Sequence, residues 1–177
     1  KNYKGVNGYT SGNERYVGQG NHNLTVADVD NDGKDEVLSG AMCMEVNDDK
    51  LMPRWCTFKG HGDALHIGNY DPTHEGFEFF TVHEEGGGTE NVTGQTLDYG
   101  QSVIDANTGE IIWHVSAAKD TGRGVMANVG AGGYYQVTSS NGGTYISNGG
   151  NQFSSASLGM SMNFRVYWDA DLYDELL

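Results

Sequence analysis

Basic residues are scarce in this chain: 10 Lys and Arg stand against 24 Asp and Glu, a formal charge of −14 over 177 residues. A nucleic-acid surface needs a basic face, so that class of partner is excluded. No stretch approaches 18 consecutive apolar residues, which excludes a helical membrane span. Only two cysteines occur, Cys43 and Cys56. Their spacing makes no zinc pattern, and they are expected to be structural or free. Proline is nearly absent at 2 residues while glycine reaches 27. The glycines sit with Asn, Asp and Thr between short β-rich runs, so they read as turns and not as a disordered tract. An apolar 3.6-residue period is also missing, which argues against helices.

What remains is an acidic chain of one-domain size with room for a real core. Its charge fits a secreted protein loaded with calcium, because bound cations offset part of the negative charge. No signal peptide is visible, and the chain opens at Lys1 without an initiator Met.

Four segments share one plan: "TVADVDNDGKDEV", "HIGNYDPTHEGFEFF", "ANVGAGGYYQV" and "YWDADLYDELL". Each is an apolar-alternating strand, an acidic or glycine-rich turn, and a second apolar strand. Aligning Asp28, Gly68, Asn128 and Asp169 places the units about forty residues apart, with one longer interval. "QSVIDANTGEIIWHV" adds a hairpin around the turn Asp105–Gly109, with Trp113 expected in the outer packing. The expected fold class is all-β, with residues 1–177 forming about four blade units of a β-propeller as one partial domain. Because "DELL" falls inside a strand with no turn after it, a piece of a larger propeller is favoured over a complete four-bladed ring.

"DVDNDGKDE" alternates Asp28, Asp30 and Asp32, and Gly33 permits a sharp turn. This matches the first half of an EF-hand loop, with Lys34 at the position that ligates through its carbonyl. Glu36 supplies the closing acid early and leads into a strand. The expected ion is Ca²⁺.

A second pattern lies near the starts of the first strands, where the alignment collects His22, Asp63 with His61 just before it, and Arg123. Residues equivalent by repeat share one ring, so these side chains are expected at one mouth. Glu84 follows the next strand and returns there. Such a set is hard to explain as packing. His22, His61, Asp63 and Glu84 are expected to share a cation, and Arg123 to stand apart from it facing the substrate space. His66, His74 and His114 are read as strand, turn and hairpin residues, and His83 with them.

"GQGNHNLTVADVDNDGKDEV", "GHGDALHIGNYDP", "DTGRGVMAN" and "MNFRVYWDADLYDELL" closely resemble the rhamnogalacturonan lyases of polysaccharide lyase family 11. The resemblance runs from Val17 onward. It implies an eight-bladed propeller with several Ca²⁺ ions that cleaves the rhamnogalacturonan I backbone of pectin by β-elimination. It further implies that Asp28, Asp30, Asp32, Lys34 and Glu36 hold one calcium, that His22, His61, Asp63 and Glu84 match metal and active-cleft positions, and that Arg123 faces the cleft. His61, Asp63 and Arg123 are thereby the catalytic candidates. Elimination removes the C5 proton of a galacturonate, so the neighbouring carboxylate must be neutralised, and a cation and an arginine suit that task. A polysaccharide is the expected partner, with the protein acting as a monomer. The competing reading is a noncatalytic calcium-stabilised propeller that binds a glycan or protein partner.

Overall fold

The computed structural model describes residues 16–90, 93–128, 135–141, 144–147, 152–154 and 162–177. The fold is all-β and antiparallel, with no α-helix among the described residues. The first sheet is a four-stranded meander of β1 (Thr25–Ala27), β2 (Glu36–Ser39), β3 (Met42–Asn47) and β4 (Lys50–Cys56). The second repeats it with β5 (Leu65–Gly68), β6 (Glu78–His83), β7 (Gly100–Asp105) and β8 (Ile111–Ser116). A third follows with β9 (Gly124–Ala127), β10 (Tyr135–Ser139), β11 (Thr144–Ser147) and β12 (Gln152–Ser154). A strand pair, β13 (Arg165–Val166) with β14 (Glu175–Leu176), forms a fourth sheet. The four sheets do not close into a ring among the described residues.

The second sheet lies between two cores. Phe79, Leu65 and Ile104 pack with Val29, Leu38 and Cys43 of the first sheet's unit. Phe80, Val82 and Val103 pack with Met126 of the third. Both faces of β6 are therefore covered and all six of its residues are buried. A strand covered on both faces reads as a continuous apolar run instead of an alternating one, and "FFTV" is such a run. Cys43 is fully buried and Cys56 half-buried. Burial pushes the Cys43 thiol up to about 12, which makes it inert.

The repeat register differs from the alignment made on Asp28, Gly68, Asn128 and Asp169. Ala27 pairs with Glu36, Gly68 with Glu78, Ala127 with Gln136 and Val166 with Glu175. Asp28 is thus equivalent to Asn69, Asn128 and Tyr167. Alignment on the first conspicuous acid slips because the turns differ in length and in where their acids fall. In the corrected register Asp169 and Asp171 match Asp30 and Asp32, and the left-handed residues Asn31 (φ 60°) and Ala170 (φ 70°) coincide. The turn at 129–134 lies outside the described residues.

The same register exposes a recurring brace. The Glu36 carboxylate accepts the Val29 N–H at 3.0 Å. Glu78 accepts the Tyr70 and Asp71 N–H groups at 2.6 and 3.0 Å, and Glu175 accepts Trp168 N–H at 2.6 Å. In these three units the first residue of the second strand accepts backbone donors just past the first strand, and in the first two those donors are buried and would be costly to leave unpaired. Burial pushes the Glu78 carboxyl above its ordinary 4.5, and the two backbone N–H groups and His74 only partly offset it. A raised folded-state value means that bound protons stabilise this site. That contribution is complete below the unfolded value and is lost as pH rises through the folded one. Glu78→Ala should cost about 2–4 kcal/mol in urea unfolding by orphaning buried donors. Glu78→Gln should retain most of that stability while removing Glu78's share of the decline as pH rises above its ordinary value of 4.5.

Candidate metal and substrate site

The second strand start is held against the first by backbone bonds. Asn21 forms a parallel bridge with Gly62, and His22 N–H donates to Gly62 O at 3.3 Å. Glu84 N–H donates to His61 O at 2.9 Å, which brings the end of β6 back to the same place. Gly62 makes this approach feasible, because a Cβ there would lie 2.1 Å from Val82 O.

These contacts deliver four side chains to one spot. His22, His61, Asp63 and Glu84 each place one donor atom within 4.8 Å of the others. The imidazole rings of His22 and His61 meet edge-to-face with centroids 4.8 Å apart. His22 Nε2 lies 3.3 Å from Asp63 Oδ1, and His61 Nε2 lies 3.3 Å from Glu84 Oε2. His61 Nδ1 sits 2.8 Å from Gly20 O. A carbonyl only accepts, so Nδ1 carries a proton there, and Nε2 is either an unshared lone pair or part of an imidazolium. The buried oxygens Asp63 Oδ1 and Glu84 Oε2 have no hydrogen-bond partner. Lone pairs facing lone pairs call for a proton or a metal cation between them. Burial raises the Glu84 carboxyl above its usual range, with Asp63 and Asp120 adding to the shift.

Arg123 lies beside the cluster, on the other oxygen of Asp63. Its Nη1 lies 3.6 Å from Asp63 Oδ2, on the far side of the carboxylate from His22, and donates to Gly122 O at 2.8 Å. The cluster's negative charge draws the guanidinium in, while half of the side chain remains exposed. Asp120, which the sequence reading passed over, adds a further carboxylate at this mouth. A Cβ on Gly122 would sit between Asp63 and Asp120, 3.1 and 3.8 Å from their oxygens.

The acidic turn forms a separate group. Asp28, Asp30 and Asp32 converge within the same 4.8 Å limit. Backbone donors fix them: Asp32 N–H to Asp28 and Asp30, Gly33 N–H to Asp28, and Lys34 N–H to Asp32. Three oxygen donors on one turn suit a hard cation such as Ca²⁺. Glu36 is not in this group. It is buried, and one of its oxygens accepts Val29 N–H. Asp169, Asp171 and Glu175 form a third group of acids in the equivalent turn. Its Asp-x-Asp spacing was visible in sequence, but the slipped register hid the equivalence.

The remaining histidines are structural. His74 bridges Glu78 (2.7 Å) and Asp105 (3.1 Å). His83 is buried, its Nε2 2.7 Å from Ser102 Oγ, and burial drives its value down to about 3. His114 faces Asp98 at 3.2 Å, which also pairs with Lys59. His66 lies within β5 and is held near 4 by burial and by Arg165.

The class that this fold and the sequence comparisons define is that of the polysaccharide lyases. Residues 5–177 match the profile "Rhamnogalacturonan lyase family 11, C-terminal domain", and the chain belongs to that family. It is 44% identical over 167 residues to rhamnogalacturonan endolyase YesW of Bacillus subtilis, covering 94% of this chain and 25% of the relative. With rhamnogalacturonan exolyase YesX of the same organism it shares 42% over 174 residues, covering 94% of this chain and 26% of that one. The crystal structure of YesW superposes with a TM-score of 0.74 at 42% identity, over 96% of this chain and 27% of that one. A Bacillus licheniformis rhamnogalacturonan lyase gives 0.72 at 44%, over 94% and 26%. The chain spans about a quarter of the length of these relatives.

Gly62→Ala should push residues 61–63 away from β6 and part His61 from Glu84. Such forced overpacking should cost about 1–3 kcal/mol, read as a lower melting temperature with a longer His61–Glu84 distance in a crystal structure of the variant.

Proposed function

We propose that this chain is part of a secreted rhamnogalacturonan lyase that cleaves the rhamnogalacturonan I backbone by β-elimination. The sheets β1–β4, β5–β8, β9–β12 and the β13–β14 pair are then successive blades of a propeller, with residues 1–177 as one partial domain. The observation that carries the reading is the meeting of His22, His61, Asp63 and Glu84, with Arg123 alongside, at the starts of the first strands. The family membership supports the substrate class.

The unpartnered oxygens of Asp63 and Glu84 fit a divalent cation held by these four residues. Bound there, it would offset the charge of a uronate carboxylate and of the enolate that follows proton removal at C5. Arg123 grips the same carboxylate through its exposed fork. Asp63 orients both His22 and Arg123, and His61 is fixed by Gly20 O so that Nε2 faces the cleft. The Asp28–Asp32 turn is proposed as a separate Ca²⁺ site that braces the first blade. An acidic protein repels a polyuronate, and bound cations resolve that conflict.

Two experiments test this. The full-length protein, given rhamnogalacturonan I and calcium, should generate the ultraviolet absorbance of an unsaturated uronate. Arg123→Lys should slow turnover by about 10²-fold with little change in melting temperature, because it keeps the charge but not the bidentate grip. A correctly folded protein that yields no such product would remove the lyase reading. For the brace, calcium should raise the melting temperature over chelator, and Asp32→Ala should shrink the difference. Identical melting curves with and without chelator would count against a stabilising ion in this turn.

A further inference from the structure

Arg54 on β4 holds a place that nothing above explains. Its Nη1 donates to Asp30 at 2.8 Å and to Glu45 at 2.7 Å. Its Nε donates to Asn107 O at 3.0 Å, and Nη2 donates to the Asn107 side chain. The side chain is about one-fifth exposed. One guanidinium thus joins a member of the acidic turn in the first sheet to the β7–β8 hairpin of the second. The next residue reinforces the same seam. Trp55 Nε1 donates to Ala106 O at 2.9 Å, and the indole lies so close under Gly109 that a Cβ there would be 2.7 Å from the ring.

We propose that Arg54 is a positioning residue that couples cation occupancy of the Asp28–Asp30–Asp32 turn to the docking of the second sheet's hairpin. The proposal rests on the reading of that turn as a cation site and goes beyond it, because it assigns the ion a role outside its own turn. Asp30 Oδ1 accepts Asp32 N–H while Oδ2 accepts from Arg54, so the carboxylate is held from both sides. A cation gathering Asp28, Asp30 and Asp32 fixes the Asp30 plane, and the rigid fork of Arg54 passes that plane on to Asn107. Without the ion, three carboxylates within 4.8 Å repel one another. Asp30 then loosens, and the fork loses the anchor that orients it toward the hairpin. Lysine has one nitrogen in place of three and cannot span Asp30, Glu45 and Asn107 together.

Amide hydrogen exchange of the full-length protein tests this, in calcium and in chelator. In the unmutated protein, chelation should speed exchange by about tenfold both in the 28–36 turn and at 107–109. In Arg54→Met, exchange at 107–109 should be fast in both buffers, while the 28–36 turn still responds to the ion. Arg54→Lys should behave as Arg54→Met does and serves if the methionine variant folds poorly. A turn that responds while residues 107–109 do not overturns the coupling alone. A turn that ignores calcium overturns both the coupling and the cation reading. Residues 107–109 that still follow the ion in both variants would show that Trp55 or another route carries the effect.

Discussion

The first two units each depend on one carboxylate turned inward, and the fourth repeats the contact at the surface. Glu36, Glu78 and Glu175 open their second strands, and each reaches back to the backbone just beyond its first strand. A long polar turn at the end of a sheet leaves backbone donors facing the core, where water cannot serve them. One side-chain anion satisfies them and fixes the turn's length and direction. The turn can then present its other acids outward, as Asp28, Asp30 and Asp32 are presented. An internal anion and an external acid cluster are thus parts of one device, and Glu36 serves the first of these roles.

Fixing the turns at one end of the sheets leaves the other end to carry the cluster. There the first strands run side by side, with β1 beside β5 and β5 beside β9. Gly62 permits near contact with the Val82 carbonyl. The central sheet, covered on both faces, gives β6 a rigid seat, and Glu84 leaves that strand directly toward His61. The geometry of the cluster therefore depends on two packed cores and one glycine more than on any contact within the cluster itself.

The all-β class was legible because strand-period runs and turn residues alternate throughout and helical period is missing. The meeting of His22, His61, Asp63 and Glu84 was legible because imidazoles and carboxylates recur at strand starts, where ordinary strands place Thr, Ser or Val. The register was less so. Asp169 looks like the counterpart of Asp28 when acids are matched by eye, yet strand pairing makes it the counterpart of Asp30. The inward aim of Glu36 was hidden because an acid at the end of an acidic turn reads as a ligand whichever way it points. Arg54 carried no local signal, since its partner Asn107 lies on a distant hairpin, and His74 showed only its near neighbour Glu78 and not Asp105.

Those two residues show how so acidic a chain meets part of its charge with its own side chains. Each structured acidic turn has a resident cationic partner reaching it from a different element or from the turn itself. Arg54 serves Asp30 and Glu45, His74 lies between Glu78 and Asp105, and Arg165 pairs with Asp174 while resting over the Tyr70 ring, 5.3 Å from its centroid. The three differ in permanence. A guanidinium is always charged, so Arg54 and Arg165 are fixed counter-charges. An imidazole is charged only when protonated, so His74 is a conditional counter-charge, whereas the turn at Asp28 presents a full triad of acids. The difference follows from composition: Asn69, Asp71 and Thr73 stand where Asp28, Asp30 and Asp32 stand in the first turn, one acid in place of three. The second turn therefore has less negative charge to gather, whereas the first presents more anion than the single charge of Arg54 offsets.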